Sequence, residues 1–167
     1  MGKPSVHRSR KIEIMTSENN YHSRQDYFNR IAPGLRSYRS KRKYYWNDIV
    51  EYCNFYIQDH ESVLEIGCAN GDTLSALNGG RKAGIDFSEN MIAEARAAHP
   101  HITFHRMDAQ QIELDEKFDV IIISNSIGFF DDIQTVFEQL NKVCHERTRI
   151  IITYYNHLWE PMLKLGE

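Results

Sequence analysis

The sequence predicts an α/β fold with a doubly wound, mostly parallel sheet, and three observations carry that prediction. After Glu61, five apolar runs of strand length alternate with helical segments. Most of these runs are continuous, as in strands covered on both faces. Strand–helix alternation in turn calls for parallel strands joined by right-handed crossovers. A chain of 167 residues with 41% apolar content suits one domain with a core of its own.

Taken in order, residues 1–20 read as a poorly ordered basic tail without periodicity. A short helix, "QDYFNRIA", is expected to stop at Pro33-Gly34. Trp46, Ile49, Val50, Cys53 and Ile57 recur at helical spacing, which predicts one long amphipathic helix over Tyr38–His60. Residues 21–60 are thus expected to form a helical lid over a core of residues 61–167.

Strands are predicted at Val63–Ile66, Ala83–Asp86, Ile102–Met107, Phe118–Ser124 and Ile150–Tyr154. The helix Asp72–Leu77 is expected to end at Asn78-Gly79-Gly80. Ser88 can cap a helix over Glu89–His99, which Pro100 ends. Asp131 and Asp132 open a helix whose Ile133, Val136, Phe137, Leu140, Val143 and Cys144 form one stripe. The link Ala109–Glu116 is short and only partly helical.

Composition excludes several classes. There is no run of eighteen apolar residues, so no membrane span is expected. The N-terminus lacks a signal-peptide core, and Cys53, Cys68 and Cys144 form no CxxC pair. Both features favour reduced thiols and a cytoplasmic location over a disulfide frame. Charge is uneven: residues 1–43 carry eleven Lys/Arg against three acids, and residues 44–167 nine against twenty, for a net −3. The basic stretch "RSYRSKRKYY" interleaves arginine with tyrosine and keeps nucleic acid open as a weaker option; a solvated helix face is the preferred reading.

In open α/β sheets the chemistry lies beyond the carboxyl ends of the strands. The first such end is "VLEIGCANGD", where Gly67 and Gly71 permit angles that a Cβ obstructs and Ala69 keeps the surface low. Either the turn is simply tight or a ligand lies against its backbone. The second end is Asp86, nineteen residues after Gly67, placed to accept hydrogen bonds from the vicinal hydroxyls of a ribose. At the third, Asp108 can accept the exocyclic amine of adenine and Ala109 can offer its N–H, with Phe87 and Met91 as apolar walls. At the fourth, "SNSIGFF" sets Asn125 and Ser126 at the mouth of the cleft.

These four ends, "VLEIGCANGD", "GIDFSENMI", "MDAQQI" and "FDVIIISNSIGFF", resemble the successive motifs of the class I S-adenosylmethionine-dependent methyltransferases over Val63 to about Tyr155. The resemblance implies a Rossmann-like core. It implies that Gly67, Cys68, Ala69 and Gly71 line the methionine portion of the cofactor, with Glu65 as indirect support. It implies Asp86 on the ribose, Phe87 and Met91 around adenine, and Asp108 with Ala109 on the adenine edge. Asn125 and Ser126 then border the methionine amino group and the methyl acceptor. Position 72 is aspartate where a nicotinamide fingerprint has its third glycine. A carboxylate there repels phosphate but tolerates an ammonium and a sulfonium.

The expected reaction is methyl transfer to a small organic acceptor, with a lipid-like one among the options. The alternatives are a cofactor-binding module without turnover and, below it, an RNA methyltransferase. Tyr27, Tyr155 and His157 are the candidate general bases, and His99, His101 and His105 make a poor metal site. The family's sheet continues with an antiparallel pair, whereas this sequence ends one short helix after the fifth strand. An apolar edge at Ile150–Tyr154 is therefore expected, coverable by a homodimer together with Leu158, Trp159, Met162 and Leu163.

Overall fold

The continuous apolar runs form strands β1 (Ser62–Ile66), β2 (Arg81–Asp86), β3 (Thr103–Arg106), β4 (Phe118–Ser124) and β5 (Cys144–Thr153). Between and before them lie α1 (Ser17–Lys41), α2 (Lys43–Tyr56), α3 (Asp72–Ala76), α4 (Glu89–Ala98) and α5 (Ile133–Leu140). The computed structural model describes residues 17–154. All strand pairs are parallel, in the order β3-β2-β1-β4-β5. The chain steps outward from β1 to β3 and then returns to the other side of β1. The order therefore reverses between β1 and β4, which opens a crevice at their carboxyl ends.

Side-chain alternation along β1 and β4 builds two cores. Val63, Val120 and Ile122 meet α2, α3 and α4 on one face. Leu64, Ile66, Ile121 and Ile123 meet α5 and the 107–117 link on the other. These seven side chains are fully buried, and each contributes about 1.5–3 kcal/mol of hydrophobic stabilisation. The polar residue at an inward position of β1 is Glu65, on the α2–α3 face.

The N-terminal helices differ from expectation. Helix α1 does not stop at Pro33-Gly34 but continues to Lys41. Proline frees the carbonyl four residues earlier, here that of Asn29, and Asn90 Nδ2 donates to that oxygen at 2.9 Å. A neighbouring helix thus replaces the missing intrahelical donor. The break falls instead at Arg42, and α2 covers Lys43–Tyr56 rather than Tyr38–His60. The residues at helical spacing still face inward, with Ile49 and Cys53 buried.

Ser88 caps α4 as expected, its Oγ accepting from Met91 N at 3.2 Å. Asp132 caps α5, accepting from Thr135 N at 3.2 Å. That helix ends at Leu140, so Val143 falls in the following turn and Cys144 begins β5. The 109–116 link carries no helix. Its Ile112 N–H donates to Gln139 Oε1 and its carbonyl accepts from Lys142 Nζ, so side chains satisfy its backbone.

Strand β5 starts six residues earlier than predicted and stands at the sheet edge. Ile151 packs against the α2 side, while Ile150 and Ile152 remain 39% and 43% exposed. Leu158, Trp159, Met162 and Leu163 lie outside the described residues, as do residues 1–16. Among the described residues no helix is long and apolar enough to cross a membrane.

Candidate cofactor-binding site

The turn after β1 holds three left-handed residues at alternate positions: Gly67 (φ 72°), Ala69 (φ 48°) and Gly71 (φ 75°). The backbone N–H groups of Gly67 and Cys68 both donate to Ile85 O, at 2.8 and 3.0 Å. The turn is thereby folded back onto β2. A Cβ on Gly67 would lie 2.7 Å from Ser126 Cβ, and one on Gly71 would lie 2.5 Å from the Phe104 ring. Gly71 thus serves packing, while Gly67 and Ala69 floor a cavity.

That cavity has a volume of about 700 Å³ and lies across the carboxyl ends of β1, β2 and β4, within the ~300–1,000 Å³ usual for small-molecule sites. It brings together Gly67, Ala69, Asp86, Phe87, Met91, Asp108, Ala109, Asn125 and Ser126. Three of the residues singled out from the sequence do not line it. Cys68 is buried under Gly84, where an added Cβ would come within 2.8 Å of its Sγ, and burial raises its thiol pKa. Gly71 faces Phe104, and Glu65 stands behind the turn in the α2–α3 layer.

Asp72 also departs from the reading of its charge as part of the ligand surface. Its carboxylate is bonded to Arg36 Nη2 at 3.0 Å, His99 Nε2 at 3.0 Å and Asn70 Nδ2 at 2.8 Å. Burial works to raise its pKa, but the hydrogen bonds from Arg36 and His99 carry it below the usual value. Its charge anchors α1 and α4 rather than facing the cavity.

Asp86 ties two strand ends together. Its Oδ2 accepts from Ala69 N and its Oδ1 from Ser88 N, both at 2.9 Å. Each oxygen keeps a further lone pair. Burial raises its pKa to about 6, outweighing those two N–H groups. Asp108 Oδ1 accepts from Gln110 N at 2.8 Å. Ser126 Oγ is spent on Ile66 O at 2.9 Å, so its side chain shapes the floor and donates nothing to the cavity.

Helix α1 forms the roof. Phe28 meets the rings of Phe87 and Phe129 edge-on, at 5.6 and 5.1 Å between centroids. Arg24 bonds Asp131 and Phe129 O, and Gln25 Nε2 donates to Phe87 O at 3.2 Å. On the other flank, Asn29 Oδ1 accepts from Ser88 Oγ at 2.7 Å. Tyr27 lines the cavity but is 47% exposed, with Arg30 over its ring. Tyr155 and His157, the other proposed bases, lie outside the described residues.

The sequence reading missed a group at the α1–α2 junction. Arg39, Tyr45 and Trp46 all line the cavity. Arg39 stacks over the Trp46 ring at 4.0 Å and donates to Thr73 Oγ1 at 3.0 Å. Burial lowers its pKa, and the charge of Glu65 opposes that shift. Tyr45 Oη donates to Asn125 Oδ1 at 2.8 Å. Asn125 itself is left-handed, with φ 53°, a conformation that asparagine adopts more readily than other non-glycine residues. Interleaved arginine and aromatic residues were the available signal, since "RSYRSKRKYYW" contains all three.

Among the described residues, the buried side-chain polar atoms without a hydrogen-bond partner are Arg39 Nε, Trp46 Nε1, Glu65 Oε2, Asn125 Nδ2 and His105 Nε2. Arg39, Trp46 and Asn125 line the cavity, and Glu65 stands behind its turn. Glu65 is fully buried, and burial raises its pKa to about 8 against the opposing charge of Arg39. The Arg39 guanidinium, which lines the cavity, complements the carboxylate of an amino acid. The methionine end of S-adenosylmethionine fits beside Arg39, and Asp86, Asp108 and the Phe28–Phe87–Met91 walls suit its adenosine.

Residues 63–147 match the family described as methyltransferase domain, and the chain belongs to that family. It is 28% identical over 109 residues to trans-aconitate 2-methyltransferase of Escherichia coli, covering 63% of this chain and 43% of that one. To demethylmenaquinone methyltransferase of Oceanobacillus iheyensis it is 26% identical over 162 residues, covering 90% and 64%. The chain therefore spans less than two thirds of the length of either relative. Among solved structures, the DhpI–SAH complex superposes with a TM-score of 0.68 at 19% identity, over 86% of this chain and 73% of that one. That likeness is one of fold.

Proposed function

We propose that this chain binds S-adenosylmethionine in the cleft across β1, β2 and β4 and transfers its methyl group to a small organic acceptor. The observation that carries the reading is a single cavity across the carboxyl ends of β1, β2 and β4 that brings the Gly67–Ala69 turn together with Asp86, Phe87, Met91 and Asp108. In this reading Arg39, which lines the cavity, serves the methionine carboxylate, and Glu65 behind the turn gives indirect support through its charge. Asp86 accepts the ribose hydroxyls on its remaining lone pairs, and Phe87 and Met91 flank adenine. Asp108 and Ala109 serve the adenine edge.

The bound cofactor supplies a methyl group already activated by positive sulfur. The work of this chain's residues is then alignment and exclusion of water. Helix α1 closes over the site, and its Ile31, Leu35 and Phe28 give the cavity an apolar roof. Relatives named for trans-aconitate and demethylmenaquinone support an acceptor of small-molecule size.

Titration calorimetry with S-adenosylmethionine and S-adenosylhomocysteine tests binding, and incubation with methyl-labelled cofactor and small acceptors tests transfer. Saturable 1:1 binding with label in a small product supports the reading. Binding with no transfer to any acceptor would reduce the chain to a cofactor-binding module. No binding of either nucleoside would refute the assignment.

A further inference from the structure

Part of the cavity lining has no task in holding the cofactor. Tyr27, Arg30, Ile31, Gly34, Leu35 and Tyr38 all line the cavity, and all lie on α1. Recurrence at three- and four-residue spacing puts them on one face of the helix, with neighbours about 5–6 Å apart. They form a continuous strip about three turns long.

Two features of this strip point to a ligand. The first is Gly34, inside a helix where glycine is less stable than alanine. Its backbone is not left-handed, and an added Cβ would meet nothing within 4 Å. Neither conformation nor packing therefore calls for glycine. The missing side chain leaves a gap in the strip, one turn from Arg30 and one turn from Tyr38.

The second feature is the pattern of arginines. Arg24 is paired with Asp131 and Arg36 with Asp72, while Arg39 serves the methionine carboxylate. The exposed Arg30 guanidinium instead lies over the Tyr27 ring at 5.8 Å and pairs with no acid among the described residues. Arg42 lies 4.2 Å over the Tyr38 ring and adds a second cation at this mouth. Ile31 and Leu35, both half-buried, give the strip its apolar part.

We infer that the methyl acceptor is an anionic molecule with a flat apolar body, which lies over Gly34 against Ile31, Leu35 and Tyr38 and sets its charge on Arg30. This rests on the methyl-transfer reading above. A gap one side chain deep admits the thickness of a ring, so Gly34 decides the shape accepted. Arg30 decides the charge, and its guanidinium keeps its proton at any working pH.

The test uses protein saturated with S-adenosylhomocysteine and two dyes of one skeleton, anilinonaphthalene sulfonate and the uncharged N-phenylnaphthylamine, whose fluorescence rises on burial. Each is expected to bind once per chain. Arg30→Gln should weaken the sulfonate at least about threefold and leave the uncharged dye unchanged, and added salt should shrink that difference. Gly34→Leu introduces a good helix former with room for its Cβ. It should weaken both dyes at least about tenfold while affinity for S-adenosylhomocysteine stays the same. Failure of the dyes to bind, Arg30→Gln acting on both alike or on neither, or Gly34→Leu leaving both bound would each overturn the inference. Loss of S-adenosylhomocysteine affinity in Gly34→Leu would place the gap in the cofactor's own subsite and overturn it as well. Failure of the unaltered protein to bind S-adenosylhomocysteine would instead count against the parent reading.

Discussion

The carbonyl oxygen of Asn29, left without an intrahelical donor by Pro33, is bonded by Asn90 Nδ2 at 2.9 Å. This single contact explains why α1 continues through a proline and reaches the cavity with Leu35, Tyr38 and Arg39. Asn29 Oδ1 in turn accepts from Ser88 Oγ and Asn90 N, so the roof helix helps cap α4.

Asn90→Ala should therefore loosen α1 more than it destabilises the fold. The contact is solvent-exposed, so water can replace the lost donor and the cost is about 0.5–1 kcal/mol. Hydrogen exchange should accelerate in α1 while β1 and β4 stay protected. In a Pro33→Ala background, which restores the backbone N–H, the same substitution should cost less. Equal costs in both backgrounds would contradict the account of the proline.

Gly71→Ala should destabilise by about 2 kcal/mol or more, since it forces a Cβ to 2.5 Å from the Phe104 ring at φ 75°. Gly34→Ala makes the contrast. Nothing lies within 4 Å of its added Cβ, and an alanine in a helix gains about 0.5–1 kcal/mol. Thermal unfolding of the two variants should shift in opposite directions.

Stability of the free protein should fall as pH rises. Glu65 and Asp86 have folded pKa values raised by burial to about 8 and about 6, so the folded state holds protons that the unfolded chain releases at lower pH. Their contribution is present in full below the unfolded values near ~4 and is lost as pH passes through 6 and then 8. The melting temperature should decline from pH 5 to 8.5. Glu65→Gln, which removes the titration, should flatten the upper part of that decline. Because the cofactor's ammonium favours ionised Glu65, its binding near pH 7 should release a proton. Calorimetry in buffers of differing ionisation enthalpy reads this directly, and a heat independent of buffer would contradict it.

Asp86→Ala should lower affinity for S-adenosylhomocysteine by about 1–3 kcal/mol. It should also lower the melting temperature, because the carboxylate bonds Ala69 N and Ser88 N. Unchanged affinity alongside a lowered melting temperature would make Asp86 a structural clasp only.

What the sequence revealed and hid follows from where each interaction is made. The strand ends were legible because glycine spacing, the acids after β2 and β3 and the continuous apolar runs are local signals. The course of α1 was not, because the donor that rescues Pro33 sits 61 residues from Asn29 along the chain. Arg39, Tyr45 and Trp46 were missed for a related reason. Their approach to Thr73 and Asn125 is set by tertiary packing of two helices, and no spacing rule encodes it. Asp72 was placed correctly at the start of α3, but its partners Arg36 and His99 come from other elements and redirect its charge. The early start of β5 was hidden by charge, since "CHERTR" reads as surface yet pairs with β4 at Phe118 and Val120.

A crystal structure of the protein grown with S-adenosylhomocysteine tests the central claim most directly. The account predicts the nucleoside across β1, β2 and β4, with ribose hydroxyls on Asp86, adenine between Phe87 and Met91, and the amino-acid end beside Arg39. Electron density for the nucleoside elsewhere, or ribose hydroxyls away from Asp86 when it is bound, would contradict it.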